Sequence, residues 1–141
     1  MQYQRKDKLG PAGKSMVYII QGDPVPLARH RHGNGHAWDS QKQIKFGIGI
    51  QLINQHGDLP LLEGPLKLDI TFFMPIPKKG AKSLHGTIHA IRPDLDNLIK
   101  MICDIANKII YKDDCAISVI IADKQYSHYP RTEFTLTELR A

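Results

Sequence analysis

The sequence predicts one compact domain of the α/β (α+β) class, a mixed four-stranded sheet packed by two main helices. Three observations lead there. Residues 66–74, LKLDITFFM, alternate apolar and polar, the period of a strand with one buried face. In residues 95–109 the side chains of Leu95, Leu98, Ile99, Ile102, Ile105, Ala106 and Ile109 fall in one arc at helical spacing. A chain of 141 residues, 42% hydrophobic and 23% charged, can bury one core and is too short to divide into two.

The elements follow in chain order. Residues 1–15 are polar and broken by Gly and Pro, and read as a flexible tail before a domain over 16–141. GPAGKS at 10–15 is not a phosphate loop, because Lys8 stands where the first glycine is needed and a strand follows. VYIIQG at 17–22 is the first strand. Residues 23–38, DPVPLARHRHGNGHAW, are loop with a dense basic cluster. Residues 40–56 are read as helix, from the cap signal at Ser40 and the i, i+4 spacing of Ile44, Ile48 and Leu52. Against that, Ile44, Phe46, Ile48, Ile50 and Leu52 also alternate, and Gly47 and Gly49 each weaken a helix by about 1 kcal/mol. Residues 75–91 are a basic, Gly/Pro-broken loop, expected to be mobile. AISVIIAD at 116–123 has the apolar-on-both-faces pattern of a buried strand. TEFTLTEL at 132–139 closes the sheet with Phe134 and Leu136 inward.

Composition bounds the function. There is no run of about 18 apolar residues and no apolar core of a secretory signal, so no membrane partner is expected. Cys103 and Cys115 make no disulfide framework and suit a reducing cytoplasm. The net charge is +5, and it is unevenly placed. Residues 1–90 carry 12 Lys+Arg against 6 Asp+Glu; residues 91–141 carry 7 against 8. Asp94, Asp96, Asp104, Asp113 and Asp114 fall within 21 residues. A basic chain with one acidic block suits an anionic partner, nucleic acid above all, beside a cation site. An acidic solvated helix face is the plainer alternative.

The block RPDLDNLIKMICDIANKIIYKDD, 92–114, carries the chemistry. Pro93 keeps Arg92 out of the helical region, so the chain turns from extended to helical here. Asp94 and Asp96 can then converge, or one of them can simply cap the helix for about 1 kcal/mol. Lys100 lies one turn beyond Asp96, either as a surface i, i+4 pair or as a cation for a phosphate. Asp113 and Asp114 follow the helix, as a turn pair or as further ligands. If Asp94, Asp96 and Asp114 meet, an all-oxygen set selects Mg²⁺ or Mn²⁺, which can activate water beside a scissile phosphate. Spacing alone does not bring them together. Arg29, Arg31, Lys78, Lys79, Lys82 and Arg92 are the candidate DNA contacts. His30, His32 and His36 lack the Cys or acid that would complete a zinc set. Trp38, Tyr111, Tyr126 and Tyr129 could stack on unpaired bases or simply pack.

At these residues the chain resembles the RusA family of Holliday-junction resolvases, found in bacteria and in phages or prophages. The D-x-D-N-x-x-K block, the amphipathic helix and the terminal Asp-Asp pair match in order. GDPVPLARHRH at 22–32 and LEGPLKLDITFFMPIPK at 62–78 resemble two further family blocks, and the likeness spans roughly 17–138. The chain departs from the family at Leu27, where a basic residue is frequent, and at His30, where proline is frequent. The resemblance implies catalytic Asp94, Asp96, Asp114 and Lys100, with Asp113 as a secondary ligand. It implies a Mg²⁺-dependent homodimer that makes symmetric paired nicks in four-way or branched DNA during recombination and repair. A junction-binding protein without turnover is the alternative.

Overall fold

The computed structural model describes residues 13–28, 31–33, 36–38 and 40–139, with the backbone alone at 31–33 and 36–38. In chain order these form β1 (Ser15–Gln21), β2 (Arg31–Gly33), β3 (His36–Trp38), α1 (Lys42–His56), β4 (Leu66–Pro75), α2 (Leu95–Ala106), β5 (Ile117–Ser127) and β6 (Arg131–Glu138). Single 3₁₀ turns stand at Lys82–Leu84 and Asp114–Ala116.

Alternation decides the sheet. Leu66, Leu68, Ile70, Phe72 and Met74 of β4 are all at most 3% exposed, while Asp69 on the opposite face is open to solvent. Each such side chain contributes roughly 1.5–3 kcal/mol by leaving water. The four-stranded sheet has the order β1-β6-β4-β5. β6 pairs antiparallel with both β1 and β4, and β4 pairs parallel with β5. Parallel neighbours need a crossover, and α2 supplies it. The core joins Tyr18, Ile20, Leu52, Leu98, Ile102, Phe134 and Leu136 to the inward row of β4. Both helices therefore pack on one face of the sheet, and Val17 on the other face is 65% exposed. The mixed sheet and its two helices are those expected.

Four local readings change. The segment 23–38 is not all loop: β2 and β3 pair antiparallel, with Gly33 opposite His36. The intervening Asn34-Gly35 is, by residue type, a strong hairpin signal in the sequence. The strand at 116–123 is not a buried central strand. β5 lies at the sheet edge, with Ile120 44% and Ile121 49% exposed. The loop 75–91 has more structure than expected. Gly86 and His89 donate to the carbonyls of Tyr126 and Lys124, and Tyr126 donates to that of Thr87, so the segment lies along β5. The helix expected to reach Ile109 ends at Ala106. Lys108 takes a positive φ of 66°, and its N–H turns to Tyr111 O. The hydroxyl of buried Tyr111 donates to Cys103 O, satisfying a carbonyl that the helix end would leave unpaired.

At the chain start, the Gly13 N–H donates to Glu138 O, and Glu138 N–H donates to Lys14 O. Pairing thus reaches into the segment expected to be a tail; residues 1–12 lie outside the described residues.

Candidate active site

The turn into α2 is where extended chain becomes helix. Asp94 has extended dihedrals (φ −69°, ψ 138°) and Leu95 is already helical. Asp94 O accepts the Leu98 N–H at 3.2 Å, but its carboxylate makes no capping bond. Asp96 Oδ1 accepts the Asn97 N–H at 2.9 Å. The capping role, the plain alternative for this pair, thus leaves the Asp94 carboxylate unused. Both side chains are exposed.

The proline-rich loop closes against this turn. Leu27 N–H donates to Asn97 O at 3.0 Å. Gln41, just ahead of α1, holds the same loop by accepting from Ala28 N–H (2.8 Å) and donating to Pro26 O (2.9 Å). Leu27 then forms a shared wall between two cavities. One, of about 680 Å³, is lined by Asp23, Pro24, Arg92, Asp94 and Asn97 among others. The other, of about 320 Å³, is lined by Lys100, Cys103, Asp104, Asp114 and Ile120 among others. The upstream loop and the acidic block, far apart in sequence, therefore meet.

Asp114 reaches this place through the turn after α2. Its N–H donates to Asn107 Oδ1 at 2.9 Å, and Asp113 Oδ1 accepts the Cys115 N–H at 3.0 Å. Burial pushes the Asp114 carboxyl up from its ordinary pKa; a hydrogen bond with Asp113 and the charges of Asp113 and Asp104 push the same way. Asp113 is held low, first by its bond from the Cys115 backbone and then by the bond with Asp114. The two carboxyls thus titrate as a pair, with Asp113 the one that ionises first.

Lys100 and Asp114 line one cavity, and so does Asp104, an acid of the 92–114 block with no expected role in the site. Its signal was available: Asp96, Lys100 and Asp104 follow one another at i, i+4 on α2. Asp104 also approaches Lys45 of α1 at 4.0 Å. Asn107, which orients Asp114, and Lys124, whose ammonium holds the carbonyls of Ile91 and Pro93, gave no sequence signal. Asp94 and Asp114 line different cavities, and among the described residues no three His, Cys, Asp or Glu side chains form a ready metal-holding group.

Both thiols favour the protonated form. Burial pushes Cys103 up to about 11, and the Asp113 charge pushes Cys115 up. Neither is a thiolate at neutral pH. Tyr111 is buried and packs, whereas Tyr129 is 74% exposed.

A family model described as endodeoxyribonuclease RusA matches residues 21–137, which include the loop at Leu27, β4, the whole 92–114 block and β5. The chain belongs to the RusA endodeoxyribonuclease family. It is a nuclease, a hydrolase of phosphodiester bonds. It is 31% identical over 137 residues to the protein YqaN of Bacillus subtilis (strain 168), covering 88% of this chain and 96% of that one. It is also 40% identical over 76 residues to a crossover junction endodeoxyribonuclease rusA of Lactococcus phage r1t, covering 53% of this chain and 56% of the phage protein.

On this RusA-family chain the expected DNA contacts divide. Lys78, Lys79, Lys82 and Arg92 are exposed, and Arg92 lines the same cavity as Asp94. Arg29, His30 and the side chains of Arg31, His32, His36 and Trp38 lie outside the described residues. No described helix is long and apolar enough to cross a membrane.

Proposed function

We propose that this RusA-family nuclease resolves four-way DNA junctions as a Mg²⁺-dependent homodimer, making paired nicks in recombination and repair. One observation carries the reading: Lys100 and Asp114 line one cavity, walled by Leu27, whose backbone is bonded to the first turn of the helix that carries Asp96. The junction as substrate follows the printed name of the phage relative.

The donor chemistry fits a hard cation. Asp94, Asp96 and Asp114 offer oxygen only; burial comes first in pushing Asp114 up, and the charges of Asp113 and Asp104 that add to it are ones a cation relieves. Asp94, Asp96 and Asp114, with Asp113 behind them, are the residues that would hold Mg²⁺, or Mn²⁺ in its place. Bound there, the ion would supply Lewis acidity and a water of lowered pKa. The chain's own residues do the rest. Asn107 fixes the backbone of Asp114, and Lys100, which lines the same cavity, would hold a phosphate oxygen. Lys78, Lys79, Lys82 and Arg92, with Arg29 and Arg31, position the DNA backbone without reading its sequence. One copy has one such site, so two cuts on a two-fold symmetric junction take two copies.

The test is incubation of purified protein with a synthetic four-way junction and Mg²⁺ or Mn²⁺. Symmetric nicks are expected, and Asp96→Asn should still shift the junction in a gel while cutting nothing. Junction binding without cleavage in either metal, across several junction sequences, would replace the junction-resolving reading with that of a junction-binding module.

A further inference from the structure

We propose that Lys124 is a positioning residue for the acidic site, acting through the backbone of residues 91–93; its catalytic consequence rests on the nuclease reading above. Lys124 lies on β5, far in sequence from the D-x-D block. Its half-buried ammonium donates to Ile91 O at 2.7 Å and to Pro93 O at 2.6 Å. An ammonium has three donors and is strongly hydrated in the open; here two of the three are committed to main-chain carbonyls in short, charge-assisted bonds.

The anchor is tied into the sheet. Lys124 sits opposite Phe72 in the β4–β5 pairing, its own carbonyl accepts the His89 N–H at 3.1 Å, and the neighbouring Asp123 accepts the Thr71 hydroxyl at 2.7 Å. Residues 91–93 belong to no helix or strand, and Ile91 is 61% exposed. Pro93 O immediately precedes Asp94, whose carboxylate makes no cap bond that would hold it. The placement of Asp94 is therefore set by its main chain. On the helix side the Leu98–Asp94 bond and the docking of Leu27 on Asn97 fix it. On the loop side Lys124 does. Freeing one side moves a carboxylate by an ångström-scale amount, and displacements of that size are costly in a site where geometry sets the rate.

The variants that decide are Lys124→Met, which removes the donors, and Lys124→Arg, which keeps charge and donors. With a four-way junction at saturating protein and metal, Lys124→Met should slow single-turnover nicking by about 10–100-fold while junction affinity holds. Lys124→Arg should recover part of the rate. Amide exchange gives a readout that does not need activity: the Leu98 amide should exchange faster in Lys124→Met, with the amides of β4 and β6 unchanged. Nicking at the wild-type rate in Lys124→Met overturns the inference. So does a joint loss of binding and nicking with faster exchange across β4 and β6, which would make Lys124 a general scaffold residue. Should the wild-type protein cut no junction in Mg²⁺ or Mn²⁺, the nuclease reading fails by itself. The clamp is then decided by exchange alone, and an unchanged Leu98 amide overturns it.

Discussion

At the scale of single residues, charge balance inside one small cavity governs the site. Lys100 is the cation among Asp104 and Asp114, and its loss should be felt in the chemistry more than in binding. Lys100→Met is expected to slow nicking by about 10²–10³-fold, the usual effect of removing one preorganised donor to a developing charge. Its salt dependence of junction binding should change by at most one phosphate contact, about 0.9 in log–log slope. Equal losses in affinity and rate would place Lys100 in simple backbone binding. The acid pair gives a second expectation, with a defined sign. Negative charge on Asp113 disfavours the ionised form of Asp114 and raises its pKa. Asp113→Asn removes that charge, so in metal-free protein Asp114 should lose its proton at a lower pH than in the wild type. Carboxyl NMR titration reads this directly, and an unmoved Asp114 would mean that burial alone sets it.

At the scale of elements, two glycines separate helix propensity from packing. Gly47 lies exposed in α1, and a Cβ built there meets nothing within 4 Å. Gly47→Ala should therefore stabilise the protein by about 0.5–1 kcal/mol through propensity alone. Gly64 is the opposite case: a Cβ there would stand 2.5 Å from the Ala116 Cβ, so Gly64→Ala should lower the Tm. The loop lying along β5 adds a pH dependence. His89 is 6% exposed, its Nδ1 has no hydrogen-bond partner among the described residues, and burial together with the Lys124 charge holds its pKa below 6.5. The unfolded chain then binds a proton that the folded chain refuses. Stability from this group is complete above about pH 6.5 and falls as pH drops from there towards the folded-state value. His89→Gln should flatten the fall in Tm between pH 7.5 and 5, and an unchanged slope would show that other histidines cause it. The elements were legible wherever one face is buried. β4 and α2 announce themselves because their apolar residues repeat at 2 and 3.6. β5 was misjudged because Ile120 and Ile121 look the same in sequence whether a neighbouring strand covers them or not. The acidic set was legible as residue types at a chain junction marked by Pro93. The docking of Leu27 on Asn97 was not, because a backbone-to-backbone bond leaves no mark on residue identity. Asn107 and Lys124 act through backbone partners too, and were missed for the same reason.

At the scale of the whole molecule, the fold resolves the uneven charge of the sequence. The acidic block is wound onto one helix and the turn after it, while the loop at 23–28 is bonded to that helix and the exposed lysines of 78–82 precede it. The loop at 23–28 and the acidic block thus meet, through the Leu27–Asn97 bond, in a 15.9 kDa chain. A single copy holds one site, so the proposed paired nicking demands a solution mass near twice that of the chain, measurable by light scattering. A strictly monomeric protein that nicks both strands at equal rates would break that link. The basic loop should then show itself in salt dependence. Replacing Lys78, Lys79 and Lys82 together by Ala removes up to three phosphate contacts, and the log–log salt slope of junction binding should shallow by about 2–3. The proposed chemistry lies elsewhere, at the start of α2 and in its following turn, so the nicking rate of the bound complex should stay near wild type once protein is saturating. A slope unchanged by the triple substitution would move the DNA path off this loop and towards Arg29 and Arg31 in the upstream basic segment.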